Sequence, residues 1–345
     1  SMQRDLINPE APRVLYFSDE AYLGWSPTGA FEVAVFDAKL GATFYVFEPH
    51  ATKEEPLLAR SGDCLLCHSR HEHTPSLRTR SVFPDSNGEP LSGSGSSNIA
   101  PSTPLAERWG GWYVTGAPSP FRHRGNTVGK SEADFRASDG KGGVTLQSLQ
   151  AYFDVGRYPK PTSDIVALSI HDHQVYVHNV IAAANQTARL SLARWPATRE
   201  ILQLPADAPL AGSTLVTLAS EADKAVAALL CRDEPALPSD GLHGDGDFEK
   251  SYVKSRRPDP QGRSLRDLDL KTRLFRYRCS PLIYSESFRG FPPELRTLVL
   301  TRLGAILRAE QPPKDYAFLP AAERQAIAEI ITATLPDLPP AWRQK

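Results

Sequence analysis

The sequence predicts an α+β fold, with β structure early and helices late. Between residues 13 and 48 apolar side chains alternate in short aromatic-rich runs, the period of half-buried strands. From about residue 163 they recur at helical spacing over long stretches.

Val14 and Tyr16 open the first strand, and Ala21 to Trp25 make the second. Ser26-Pro27 and Thr28-Gly29 mark a turn. Phe31, Val33 and Val35 then alternate with Glu32, Ala34 and Phe36, and Phe44 to Phe47 is apolar, with Gly41 between the two runs. This spacing predicts an antiparallel meander of three or four strands. Residues 79–83 are strand-like, while 91–103 is rich in Ser, Gly and Pro and predicts a surface loop. Trp109 to Val114 fits strand or turn equally. Residues 122–143 predict a long irregular stretch, which in a compact domain is more often functional than idle. A helix is expected over 163–193, with Thr162 or Ser163 as N-cap and Asp164 in the first turn. Further helices are expected at 213–230, 293–308 and 321–334, with Pro293 at a helix start.

Composition narrows the function. Lys plus Arg is 39 against 40 Asp plus Glu, a net charge of −1, so nothing calls for nucleic acid or an anionic membrane. No apolar run is long enough for a transmembrane helix. No P-loop, G-x-G-x-x-G or G-x-S-x-G motif is present. No signal peptide is present, and Ser1-Met2 reads as an expression remnant, so a leader removed beforehand is expected.

The chemistry concentrates in Cys64-Leu65-Leu66-Cys67-His68. C-x-x-C-H is the attachment signal for c-type haem. Two thiols one helical turn apart reach the two vinyl groups along one haem edge, and the adjacent imidazole points at the iron. Asp63 can cap the short helix. Zinc is the first rival, held by Cys64, Cys67 and His68 with His71 or His73, although structural zinc sites usually draw two ligands from a distant segment. A thioredoxin-like redox pair is the second, and it wants a βαβ setting that the antiparallel start does not offer. The remaining cysteines, Cys231 and Cys279, are either a disulfide or two buried thiols.

The only methionine is Met2. The His/Met pair common in electron-carrying cytochromes c is therefore not available. The sixth iron position falls to a histidine, a rarer ligand, water or nothing. His71 and His73 are tied to the proximal side, leaving His50, His123, His171, His173, His178 and His243. On the helix over 163–193, His173 lies within the stripe of Val166, Ile170, Val177, Val180 and Ala184, while His171 and His178 are expected to face water. His173 is thus the first distal candidate, against the ordinary fate of a hydrogen-bonded core histidine. His123 is the second, against that of a solvated loop residue. Arg80 and Arg108, with Arg78, could pair with haem propionates. Trp109 and Trp112, beside Tyr113, could wall a haem pocket or simply be core. Asp245, Asp247 and Glu249 depart from EF-hand spacing and read as a solvated acidic turn.

Several longer stretches occur around this motif. They are Tyr22-Leu23-Gly24-Trp25, Asp37 to Gly41 with Phe44-Tyr45, Arg80 to Asp85, Arg108-Trp109-Gly110-Gly111-Trp112-Tyr113-Val114-Thr115-Gly116, His123 to Asn126, Gly262 to Asp267, and Leu270 to Tyr277. Together they resemble a family of bacterial mono-haem cytochrome-c-domain proteins, mostly uncharacterised, over nearly the whole chain. The resemblance implies one covalent haem c, export to the periplasm and a single-family architecture. In that family the place after the histidine of the His123–Asn126 segment is often Met; here it is Arg124, so no distal ligand carries over.

The expectation is one module over residues 1–345, β-rich at 10–60, haem-binding at 61–143 and mainly helical at 144–340. Its expected role is periplasmic electron transfer with bis-His or other non-Met ligation, toward a redox partner protein. The alternative is a peroxidase-like haem enzyme or gas binder with an open distal site, acting on a small oxidant.

Overall fold

A computed structural model describes residues 6–27, 29–47, 59–69, 74–91, 96–131, 133–134 and 142–342. The fold is α+β. Strands β1 (Val14–Phe17), β2 (Ala21–Trp25), β3 (Phe31–Asp37), β4 (Gly41–Phe47) and β5 (Ala59–Arg60) form one antiparallel sheet in chain order. The register places Tyr22 opposite Ala34, Ala34 opposite Phe44 and Phe36 opposite Ala42. These residues share one face and form its buried apolar stripe. The β3–β4 turn closes on the Asp37 carboxylate, which accepts from the N–H groups of Lys39 and Leu40, and on Gly41 at φ 76°.

Helix α1 (Leu65–His68) follows, and then a two-stranded ribbon of β6 (Arg80–Val82) and β7 (Ser96–Asn98). β7 lies in the stretch expected to be a loop. Ser-Ser-Asn carries no strand signal, and its backbone pairing with β6 makes it a strand. Trp109 to Val114 is turn rather than strand, with Trp109 at φ 66° and Gly111 at φ 85°. The 122–143 stretch is irregular where described, held by a bridge between His123 and Gly143.

The helical part begins at residue 165, later than expected; residues 144–164 hold one 3-10 turn, Val155–Arg157. Helix α2 (Ile165–Ile201) is 37 residues long and runs through Pro196. Its N-cap is Asp164 rather than Thr162 or Ser163: the carboxylate accepts from the N–H groups of Val166 and Ala167 at 2.8 and 3.0 Å. α3 (Gly212–Leu229), α4 (Asp247–Tyr252), α5 (Glu286–Arg289), α6 (Pro293–Arg308) and α7 (Ala321–Thr334) follow. Among the described residues no helix is long and apolar enough to cross a membrane.

Helix α2 organises the molecule because it is buried on nearly every side. At about 100° per residue, Val175, His178, Asn179 and Ala182 share the side that meets the sheet. His173, Val177, Ile181, Ala184 and Ala188 share the opposite side; the four apolar members pack into a core built with α3, α6 and α7. Ser169, Asp172 and Tyr176 form a third side, toward Arg108. One apolar stripe therefore understates how much of α2 is covered. His178, expected in water, is wholly buried on the sheet side.

Candidate functional site

Cys64, Cys67 and His68 come together on α1. Cys64 is its N-cap residue and packs, with Leu65, against the apolar face of the sheet. Cys67 is exposed, and both are free thiols. The α-helical turn sets the spacing: the His68 N–H donates to the Cys64 carbonyl at 3.1 Å. His68 lies beside the Phe44 ring, centroids 4.6 Å apart.

Ser76 holds His68 at two points. Its N–H donates to the His68 carbonyl at 2.9 Å, and its carbonyl accepts from His68 Nδ1 at 2.8 Å. A carbonyl can only accept, so Nδ1 carries the proton and Nε2 keeps its lone pair. Burial holds the imidazole below its usual titration range against the opposing pull of the Ser76 carbonyl, and the nearby Arg78 and Arg13 guanidinium groups lower it further. The ring is neutral, as a metal ligand must be. The segment is tied in turn to α2. Leu77 N–H donates to Asn179 Oδ1 at 3.0 Å, and Asn179 Nδ2 donates to the Leu77 carbonyl at 2.8 Å. These residues fit a haem c: two free thiols one turn apart, and an imidazole whose tautomer and orientation are fixed by the Ser76 carbonyl.

Arg13 is a neighbour that motif reading misses. Its guanidinium pairs with Glu32 at 2.5 Å and lies over Gly24, where a Cβ would collide with it. Its Nε is buried without a hydrogen bond. The signal in the sequence is Gly24 itself, a glycine inside a strand, which marks close approach by another group.

The other expected site residues lie elsewhere. His173 is buried about 120° around α2 from Asn179, with Nδ1 against the Glu234 carboxylate and Nε2 2.9 Å from Ser280 Oγ. His123 is fully buried, edge-on to Trp109, with Nε2 3.4 Å from Thr145 Oγ1. It is not a solvated loop residue: burial pushes it down to about 4. Arg108 donates to the carbonyls of Thr103, Ala100 and Pro101 and to Asp172, so its groups are engaged within the fold. It is a brace for residues 100–109 rather than a propionate partner. Trp109 is buried and donates to the same Asp172 at 3.2 Å, while Trp112 is half-buried beside it in that cluster. Arg80 is exposed on β6. His50, His71 and His73 lie outside the described residues.

Two further clusters emerge that sequence spacing did not join. Cys231 and Cys279 are buried free thiols, not a disulfide, and burial pushes both up. Cys231 sits instead with His173 and Glu234. Asp245 and Glu249 gather on the helix cap Asp164, whereas Asp247 stands apart beside Lys250. No protein-family model, no curated protein and no solved structure matches this chain.

Proposed function

We propose that the chain is an exported mono-haem c-type cytochrome, with Cys64 and Cys67 as thioether attachment points and His68 as proximal ligand. The observation that supports this best is the hydrogen bond from His68 Nδ1 to the Ser76 carbonyl, which leaves Nε2 unprotonated beside two free thiols. The resemblance of the longer motifs to mono-haem cytochrome-c-domain proteins points the same way. Bound there, haem c supplies one-electron exchange at iron. The protein's part is to orient His68 through Ser76, to anchor that segment to α2 through Asn179, and to set the Arg13 cation near His68. Electron transfer to a redox partner, without methionine ligation, is the role we assign.

The test is the intact mass and spectrum of the chain produced with and without a cytochrome c maturation system. One covalently bound haem per chain is expected only with it. A chain that leaves such a host carrying zinc on Cys64 and Cys67, and no haem, sinks the proposal.

The placement of His173 and His123 favours a second reading, an exchangeable sixth position. His173 is engaged by Glu234 and Ser280, and His123 lies against Trp109 and Thr145. A ferric spectrum that shifts on adding cyanide or azide assigns a small-ligand or peroxidase-like site. An unshifted low-spin spectrum assigns a protein ligand and the carrier role.

A further inference from the structure

On the helical side of α2, His173, Cys231 and Glu234 each offer one ligand atom, and these atoms all lie within 4.8 Å of one another. The donors are an imidazole nitrogen, a sulfur and a carboxylate oxygen. That mixture suits a borderline divalent transition ion such as Zn²⁺ and disfavours Mg²⁺ and Ca²⁺, which take oxygen donors. Two ligands come close together from the turn after α3, as Cys-x-x-Glu, and the third comes from a distant helix. This division of near and far ligands is the usual one in zinc sites.

The turn is built around the thiol. The N–H groups of Cys231 and Arg232 donate to the carbonyls of Ala228 and Ala227 at 3.2 and 3.0 Å. With Cys231 at φ 52°, this is a Schellman cap with the cysteine at its left-handed position. Glycine normally stands there, and a cysteine takes that backbone conformation only at a steric cost. A cysteine kept at that place directs its sulfur to His173 and Glu234. In the metal-free chain the Glu234 carboxylate accepts from His173 Nδ1; an ion bound there takes the place of that proton, while Nε2 donates to Ser280 Oγ, a support metal-bound imidazoles share.

Beside the cluster is a cavity of about 30 Å³. His173 and Glu234 line it, with Arg108, Asp172 and Tyr176. It has room for water, and so for a fourth ligand. Ser280, His173 and Glu234 also form a hydroxyl–imidazole–carboxylate chain, but Ser280 is wholly buried and does not reach the cavity, so no acyl group could meet it.

We propose that His173 Nδ1, Cys231 Sγ and the Glu234 carboxylate hold one divalent ion of the zinc class, with its fourth position facing this cavity. Binding forms a metal–thiolate bond and releases the Cys231 proton to solvent. The Glu234 side chain is 21% exposed and gives the ion its route in. This site is separate from the haem motif and does not depend on it.

The test is zinc content per chain after chelation, dialysis against ZnCl₂ and dialysis against metal-free buffer, read by elemental analysis on the full chain. One zinc resistant to dialysis is expected at this site. It should persist in Cys64→Ser/Cys67→Ser and in Cys279→Ser and disappear in Cys231→Ser. Glu234→Gln, partly exposed and near-isosteric, should weaken affinity at least about tenfold; it decides the matter if Cys231→Ser does not fold by circular dichroism. No zinc retained by the wild-type chain overturns the proposal. So does zinc that Glu234→Gln leaves unchanged, or zinc that leaves with Cys64 and Cys67.

Discussion

On the sheet side of α2, Cys67 stands exposed and Cys64 half-covered on a single helical turn, whereas on the helical side Cys231 and Cys279 are sealed into the core. The two sides also hold their histidines differently. His68 is fixed by a backbone carbonyl and keeps one nitrogen open, while His173 is engaged at both nitrogens. Exposure decides which sulfur can react with a large planar partner and which can only meet something the size of an ion. On the readings proposed above, the same two residue types serve two chemistries at separate places in the fold.

The largest expected effect is all-or-none. Cys64→Ser/Cys67→Ser should abolish the haem that stays with the denatured polypeptide, and Cys231→Ser/Cys279→Ser should leave it at one per chain. Measuring pyridine haemochrome after denaturation checks both, and the reverse pattern would break the assignment of the two sides.

Core packing comes next. Leu300 is 1% exposed among α3, α6 and α7, whereas Leu66, between the two cysteines, is 72% exposed. Leu300→Ala should lower unfolding free energy by about 2–5 kcal/mol. Leu66→Ala in the haem-free chain should stay within about 0.5 kcal/mol. Urea unfolding of the two variants side by side measures the contrast.

The sheet-side histidine His178 makes stability depend on pH. It stacks on Phe36, bonds Tyr22 through Nδ1 at 2.8 Å, and leaves Nε2 buried without a partner. Burial pushes it down to about 3, and His123 to about 4. Both native values lie below the unfolded value of about 6.5. The stabilising contribution is thus complete above about pH 6.5 and is lost as pH falls, because the unfolded chain binds protons that the native one refuses. Each group should steepen the loss by about 1.4 kcal/mol per pH unit below about pH 6. His178→Gln should make that slope shallower by about 1.4 kcal/mol per pH unit in urea titrations between pH 6 and 4.5.

Elements with strong periodicity were readable in the sequence: β1 to β4, α3, α6 and α7 lie where alternation or helical spacing places them. The strands β5 and β7 were not, because two or three residues carry no period and are set by the partner strand. The reach of α2 past residue 193 was hidden by Pro196, which argues locally against a helix. At the cysteine motif, the spacing named Cys64, Cys67 and His68, but not Ser76, whose part is played by backbone atoms that every residue has. His173 was rightly placed inside the fold. What the stripe could not show is that α2 has two insides, and that His173 faces the one away from the cysteines.

The smallest expected effect probes Arg13, a cation on the sheet side. Gly24→Ala puts a methyl group where the guanidinium lies, and a flexible side chain can move away, so the clash itself is cheap. What is lost is the Arg13–Glu32 pair, partly shielded at 27% and 15% side-chain exposure. A pair of that kind contributes about 1 kcal/mol or less. Arg13→Ala should cost a similar amount, and the double variant little more than either alone, because both changes remove the same interaction. Additive costs in this double-mutant cycle would mean that Gly24 is there for the strand and not for Arg13. A coupling near the full cost of Gly24→Ala would tie the glycine to the cation beside His68.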